Sequence, residues 1–220
     1  PSLNGSTITL APGIGTINLT NNLEINAEGL ASGITLTGAS QNFRLFQVSP
    51  SKTVAMHNLR ITNGGGTAFN NFGGAISLDA SSKLTLPRCT LSGNKTASTQ
   101  TGGAIDVKTG SVLTMTDCTL SGNQSGFGGA ITAVGNAFPS DVATVTLNRC
   151  TLSGNQALNG YGGAINGYRS RVSLTQCTVA SNTATGTVAN NGHGGGLFCL
   201  SSYLTLNHST IAGNTAYGDN

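Results

Sequence analysis

The chain has 220 residues, of which only 8% are charged, against a globular norm of about 25%, while 32 are glycine. Ten Lys and Arg against seven Asp and Glu give a net charge of +3; the cations are scattered along the chain, which excludes a nucleic-acid or anionic-membrane footprint. No apolar run reaches the roughly 18 residues of a membrane span and no basic stretch leads an apolar one at the start, so any export signal would lie upstream of this segment.

Residues 1–64 carry divergent strand-like runs: Ile8-Thr9-Leu10, Ile17-Asn18-Leu19, Leu23-Glu24-Ile25 and Ile34-Thr35-Leu36. Then Phe46 and Val48, Val54 and Met56, and Leu59 and Ile61 supply three alternating runs in succession. From residue 65 to 220 the pattern becomes regular. Gly73-Gly74-Ala75-Ile76 returns at Gly102 to Ile105, Gly128 to Ile131 and Gly162 to Ile165, and as Gly194-Gly195-Gly196-Leu197. A first strand follows each pair, with Ile76 and Leu78, Ile105 and Val107, Ile131 and Ala133, and Leu197 and Cys199 on one side. A second reads Leu84-Thr85-Leu86, Leu113-Thr114-Met115, Val145-Thr146-Leu147, Val172-Ser173-Leu174 and Leu204-Thr205-Leu206. The third is Cys89-Thr90-Leu91-Ser92-Gly93-Asn94, which recurs at Cys118, Cys150, Cys177 and Ser209 with spacings of 29, 32, 27 and 32 residues.

Apolar and polar residues alternate with period 2 in every run, and no helical period appears. A repeat near 30 residues implies units that bury their apolar faces only by stacking on neighbours. The expected fold is therefore all-β: one right-handed parallel β-helix over residues 1–220, with three short strands per turn and about seven turns. At the inter-strand spacing the rod would be roughly 35 Å long, and right-handedness follows from the bias of parallel crossovers.

In such a coil like stacks on like. Cys89, Cys118, Cys150 and Cys177 share an inward column with Leu59 before and Ser209 after. They read as small buried thiols; rung-to-rung disulfides are the alternative, sterically conceivable although in-register Cβ atoms sit wide for one. No Cys-x-x-Cys pair or nearby His offers a metal site, and no cofactor is expected. Asn94, Asn123, Asn155, Asn182 and Asn214 close the third strand at one bend, where amides could bond rung to rung and satisfy backbone groups. Outward lie Thr90, Thr119, Thr151, Thr178 and Thr210, beside Ser92, Ser121, Ser153, Ala180 and Ala212. The Gly pairs would supply positive-φ bends too close to the next turn for a side chain.

Gly-Gly-Ala-Ile, alternating with a hydrophobic-x-x-Asn element at 91–94, 120–123, 152–155, 179–182 and 211–214, resembles the paired repeats of chlamydial polymorphic membrane proteins and of the wider set of bacterial secreted β-helix repeat proteins. Leu91, Leu120, Leu152, Val179 and Ile211 stand where the polymorphic proteins usually carry Phe. The resemblance implies a surface-exposed or secreted passenger region, often adhesive, and names no ligand.

Parallel β-helices also include pectate lyases and polygalacturonases, so outward carboxylates matter. Asp79 and Asp106, on adjacent turns, are the single candidate acidic pair, and glycoside hydrolysis needs two carboxyls facing across the bond. Asp79 beside Lys108 reads instead as an exposed ion pair. Gly192-His193-Gly194 matches a polygalacturonase element but lacks the aspartate motifs that accompany it. The Thr-x-Ser array resembles the ice-binding faces of β-solenoid antifreeze proteins, although Thr is favoured outward on any strand. The expectation is a noncatalytic extracellular or cell-surface adhesin or scaffold with no catalytic residues. It would contact proteins or glycans through loops 95–101, 134–142 and 183–193, and either stack end to end with copies of itself or continue into a longer chain. Ice binding and polysaccharide cleavage are the alternatives.

Overall fold

A computed structural model describes residues 3–11, 13–39, 41–186 and 192–218, and all regular structure among them is β-strand. Three long parallel sheets form the walls of the coil. Sheet one stacks seven strands from Ile17–Leu19 to Leu197–Leu200, sheet two stacks seven from Leu23–Asn26 to Tyr203–Asn207, and sheet three stacks eight from Thr7–Thr9 to Thr210–Ala212. The chain visits sheets one, two and three in turn, so every strand pairs with its counterpart about 30 residues away. This is the three-strand, roughly seven-turn β-helix that the repeat implies.

Register is like on like. Leu91 pairs with Leu120, Leu120 with Leu152, Leu152 with Val179, and Val179 with Ile211. Alternation decides which side faces in: in Lys83–Pro87, Leu84 and Leu86 are buried while Lys83 and Thr85 are exposed. Each fully buried Leu contributes roughly 2 kcal/mol of transfer free energy, and the columns Leu84, Leu113, Val145, Val172 and Leu86, Met115, Leu147, Leu174 run this way through the core. Burial fails at the two ends, where Ile8 is 42% exposed and Leu204, Leu206 and Ile211 are 40–46% exposed.

Two features depart from simple alternation. Sheet one is buried on both faces over Ile76–Leu78 and Ile105–Val107, because the bends before the Gly pairs fold over its outer side. A small fourth sheet, Gln124–Ser125, Gln156–Ala157, Thr183–Thr185 and Thr215–Tyr217, follows the Asn bend in the last four turns. The segments after Asn123, Asn155 and Asn182 therefore begin as strand instead of loop.

The Gly pairs explain how close successive bends come. Gly128 has φ +63°, and a Cβ on Gly129 would lie 2.2 Å from the Gly163 carbonyl oxygen one turn on. No side chain fits there, so the bends stack directly on one another.

Candidate functional site

The interior columns are hydrogen-bonded throughout. Asn155 Oδ1 accepts from both the backbone N–H and the Nδ2 of Asn123, at 3.0 and 2.9 Å. Its own Nδ2 donates to Leu120 O at 3.0 Å and to Asn182 Oδ1 at 2.9 Å. The same geometry holds at Asn94, Asn123 and Asn182, and Asn214 Oδ1 accepts from Asn182 at the last rung. Cys89, Cys118, Cys150 and Cys177 are buried free thiols. Cys118 Sγ donates to Leu86 O at 2.9 Å and accepts from the Cys89 N–H at 3.3 Å. The hydrogen bond with Cys118, together with burial, pushes the Cys150 thiol up to about 11, and burial alone lifts Cys199 to about 11. Both stay protonated and unreactive near neutrality.

On the outside of sheet three, Thr90, Thr119, Thr151, Thr178 and Thr210 pair in register. Thr90 and Thr119 are half-buried and the other three exposed. Ser92, Ser121 and Ser153 line up beside them, and Ala180 and Ala212 continue that column.

Sheet one carries the charged site. Its outward row runs Gln47, Ser77, Asp106, Thr132, Asn166, Phe198. Residues preceding the Gly pairs meet this row at three rungs. Thr101 Oγ1 donates to Asp106 Oδ1 at 2.8 Å, Thr132 Oγ1 donates to Phe127 O at 2.8 Å, and the Tyr161 ring stacks on Phe198 at 4.5 Å. A chain of polar contacts crosses the covered surface. Arg44 Nε donates to Phe72 O at 2.8 Å, its Nη1 to Gln47 Oε1 at 2.8 Å, and Gln47 Nε2 to Asp79 Oδ2 at 2.5 Å. Lys108 Nζ closes the chain on Asp79 Oδ1 at 2.5 Å.

Asp79 and Lys108 thus pair, with the Lys108 side chain 39% exposed and the Asp79 side chain 14% exposed. The carboxylates are not isolated from each other. Burial pushes Asp106 up to about 6, against the Thr101 hydrogen bond and the Lys108 and Arg44 charges, and the Asp79 charge adds to the rise. Burial lowers the buried Arg44, opposed by Asp106 and Asp79. With charged residues so sparse in the chain, four of them on one covered face is a concentration.

Beside this cluster opens a recess of about 400 Å³. Loops 95–101 and 134–142 meet there, contributing Thr101 from one side and Val134 and Asn136 from the other. The 134–142 excursion is held by hydrogen bonds between Ala137 and Asp141 and by the Phe138 ring on Tyr203 at 4.7 Å. None of the described residues of loop 183–193 lines the recess. The loop begins as a fourth-sheet strand, residues 187–191 lie outside the described residues, and exposed His193 stacks on Tyr161 at 5.7 Å. Among the described residues no cluster of His, Cys, Asp and Glu could hold a metal ion, and no helix is long and apolar enough to cross a membrane.

Sequence reasoning missed Arg44, Gln47 and Phe72, and reached Thr101 only as the end of loop 95–101. Arg44 and Gln47 lie in the divergent region, where no repeat marks them. A signal for the other two existed: the residue before the Gly pair is Phe72, Phe127, Tyr161 or His193 in four turns and Thr101 in the fifth.

A family model described as a right-handed beta helix region matches residues 18–184. No curated protein and no solved structure matches the chain significantly. Covering most of the chain, and agreeing with in-register parallel strands stacked over some seven turns, this match places the protein in the right-handed β-helix family.

Proposed function

We propose that the protein is a noncatalytic extracellular or cell-surface scaffold, a stiff rod that contacts glycan or protein surfaces through its irregular segments. The observation that carries this reading is the convergence of loops 95–101 and 134–142 on the sheet-one recess, while sheets two and three keep to the repeat. Departures from a solenoid repeat gathered on one face are where such proteins place their contacts. The hydroxyl-rich, charge-poor surface and the likeness of the paired repeats to bacterial secreted β-helix proteins support the location. Asp79 is neutralised by Lys108, which leaves a lone desolvated carboxyl where hydrolysis would need two free ones. The test is attachment of the purified chain to glycan- and protein-coated surfaces. Deleting residues 95–101 and 134–142 together should abolish it; unchanged attachment refutes the contact assignment. Breakdown of uronic-acid polysaccharide, lost on Asp79→Asn or Asp106→Asn, would refute the noncatalytic part.

The exposed apolar rungs of the first and last turns described fit either end-to-end association with copies of the chain or continuation into further turns of a longer one. Sedimentation that does not change with concentration would exclude the former. One observation favours a second reading, ice binding: five Thr in register on adjacent strands with Ser beside three of them. Ice shaping that is lost on Thr119→Tyr and Thr151→Tyr would establish that function, and its absence would dispose of it.

A further inference from the structure

Four of the five close contacts between basic and acidic side chains among the described residues draw their base from arginine or histidine. Among those residues Lys108 and Asp79 alone bring a primary amine to a carboxylate. The difference is chemical as well as electrostatic. A guanidinium keeps its proton and is no nucleophile, whereas a lysine that gives up one proton is an amine able to attack a carbonyl carbon.

The backbone fixes this pair on both sides. Leu78 and Val107 stand in register, so Asp79 and Lys108, next along each strand, lie one rung apart. The Lys108 N–H donates to Leu78 O at 3.2 Å, the Asp79 N–H to Val48 O at 3.0 Å, and Ser111 Oγ to Asp79 O at 2.8 Å. At the side chains Lys108 Nζ lies 2.5 Å from Asp79 Oδ1, while Gln47 Nε2 donates to Oδ2 at 2.5 Å. Gln47 is itself held by Arg44 Nη1 at 2.8 Å. Both carboxyl oxygens are therefore positioned, and with the Asp79 side chain only 14% exposed little water reaches them.

We propose that Lys108 and Asp79 condense to an isopeptide bond, a covalent staple between adjacent turns of the coil. A proton passes from the ammonium to the carboxylate within the pair, leaving a neutral amine and a neutral acid. Nζ then attacks Cγ. The N–C bond forms, the bond from Cγ to Oδ1 breaks, and Oδ1 leaves as water with the acid proton and one proton from Nζ. Gln47 Nε2 donates to Oδ2, where negative charge develops during the attack. Asp106 is a proton carrier at hand: burial pushes its carboxyl up to about 6, and the charges of both Lys108 and Asp79 act on it. The step needs no oxidant and no second substrate. Between free molecules in water hydrolysis would prevail, but groups held in contact reach effective concentrations on the order of 10⁵–10⁸ M. That, together with the shielding of Asp79, turns the balance toward the amide. The staple goes beyond the scaffold reading, and no outcome of the attachment test bears on it.

The experiment is intact mass spectrometry of the purified full chain under reducing conditions, followed by tryptic mapping. The chain should be lighter than its sequence mass by one water, and the loss should persist after unfolding in urea. An acylated Lys108 resists trypsin, so one branched product should join residues 61–83 to residues 96–149, with fragmentation placing the junction at Asp79 and Lys108. Lys108→Arg keeps a cation beside Asp79 and cannot close the bond, so its mass should equal its sequence mass and all its peptides should be linear. The parent chain decides the matter even if that variant folds poorly. A full sequence mass in the parent after prolonged incubation at neutral pH overturns the proposal. So does a water loss that survives Lys108→Arg, or one that maps to a cyclised aspartyl residue within a linear peptide.

Discussion

Two rows of buried polar side chains run along this rod, the Asn column at the bend after sheet three and the outward row of sheet one, and they treat desolvation in opposite ways. In the Asn column the residue never changes, and each amide supplies its neighbour with what that neighbour lacks: Oδ1 takes two donors from one rung while Nδ2 serves a backbone carbonyl and the next Oδ1. Repetition alone satisfies every group. In the sheet-one row the residue changes at every rung, so satisfaction must come from outside the row. Thr101, Phe127 and Arg44 supply part of it, while Ser77 stays unpartnered and Asp106 is desolvated. A uniform polar row makes a strut, and a varied one leaves hydrogen-bonding capacity unspent.

The contrast breaks first, and with the largest effect, at the centre of the Asn column. Asn155→Ala strands the Asn123 N–H and amide, Leu120 O and one acceptor position on Asn182 Oδ1, all in the interior. At about 1–3 kcal/mol for each stranded buried group, partly relieved by relaxation, the loss should be on the order of 4 kcal/mol. Asn214→Ala, at the half-buried last rung where water can replace the bonds, should cost clearly less. Urea midpoints of the two variants check this, and equal losses would mean that the column is not a strut.

The sheet-one row should respond with the opposite sign. A carboxyl lifted from an ordinary 3.8 to about 6 on folding binds more protons folded than unfolded between those values. Stability therefore falls as pH rises from about 4 to about 6, and the penalty, roughly 3 kcal/mol at 1.36 kcal/mol per pKa unit, is fully present above that window. Asp106→Asn keeps an acceptor for Thr101 and cannot ionise. It should be more stable than the parent chain at pH 7, by at most about 3 kcal/mol, and indistinguishable from it near pH 3.5, below both values. A variant less stable at pH 7 would show that the attraction of Asp106 for Arg44 and Lys108 outweighs its desolvation.

What was legible in the sequence follows from the same contrast. The strands, their order and the pairing of Leu91 with Leu120 and Leu152 can be read because each column repeats one residue type at a fixed place in the unit. The fourth sheet cannot, since strands as short as Gln124–Ser125 and Gln156–Ala157 hold no alternation to detect. The burial of Ser77, Asp106 and Thr132 was equally hidden. Alternation assigns them outward, as they are, but what meets them, the bend five residues earlier for Asp106 and Thr132 and Arg44 of a divergent turn beside Gln47, leaves no mark in the strand's own pattern. Local pattern reports which way a side chain points, and only the stacked structure reports what lies over it.

The smallest expected effect lies in the Cys column, which sits between the two extremes: uniform like the Asn column, yet bonded weakly through sulfur. Ser209 already occupies this column, and its hydroxyl accepts from the Cys177 N–H at 3.0 Å while lying 3.2 Å from Leu174 O and 3.1 Å from Asn207 O as a donor. Cys118 makes the corresponding contacts through Sγ, to the Cys89 N–H, Leu86 O and Thr116 O. In Cys118→Ser the hydroxyl can inherit them, so the cost reduces to lost apolar contact in a tightly packed core, about 1 kcal/mol. Cys118→Ala loses the acceptor for the Cys89 N–H and should cost more, about 2 kcal/mol. If Ser proved worse than Ala by urea midpoint, the column would be selecting for the low polarity of sulfur, and its sulfur hydrogen bonds would be incidental to packing.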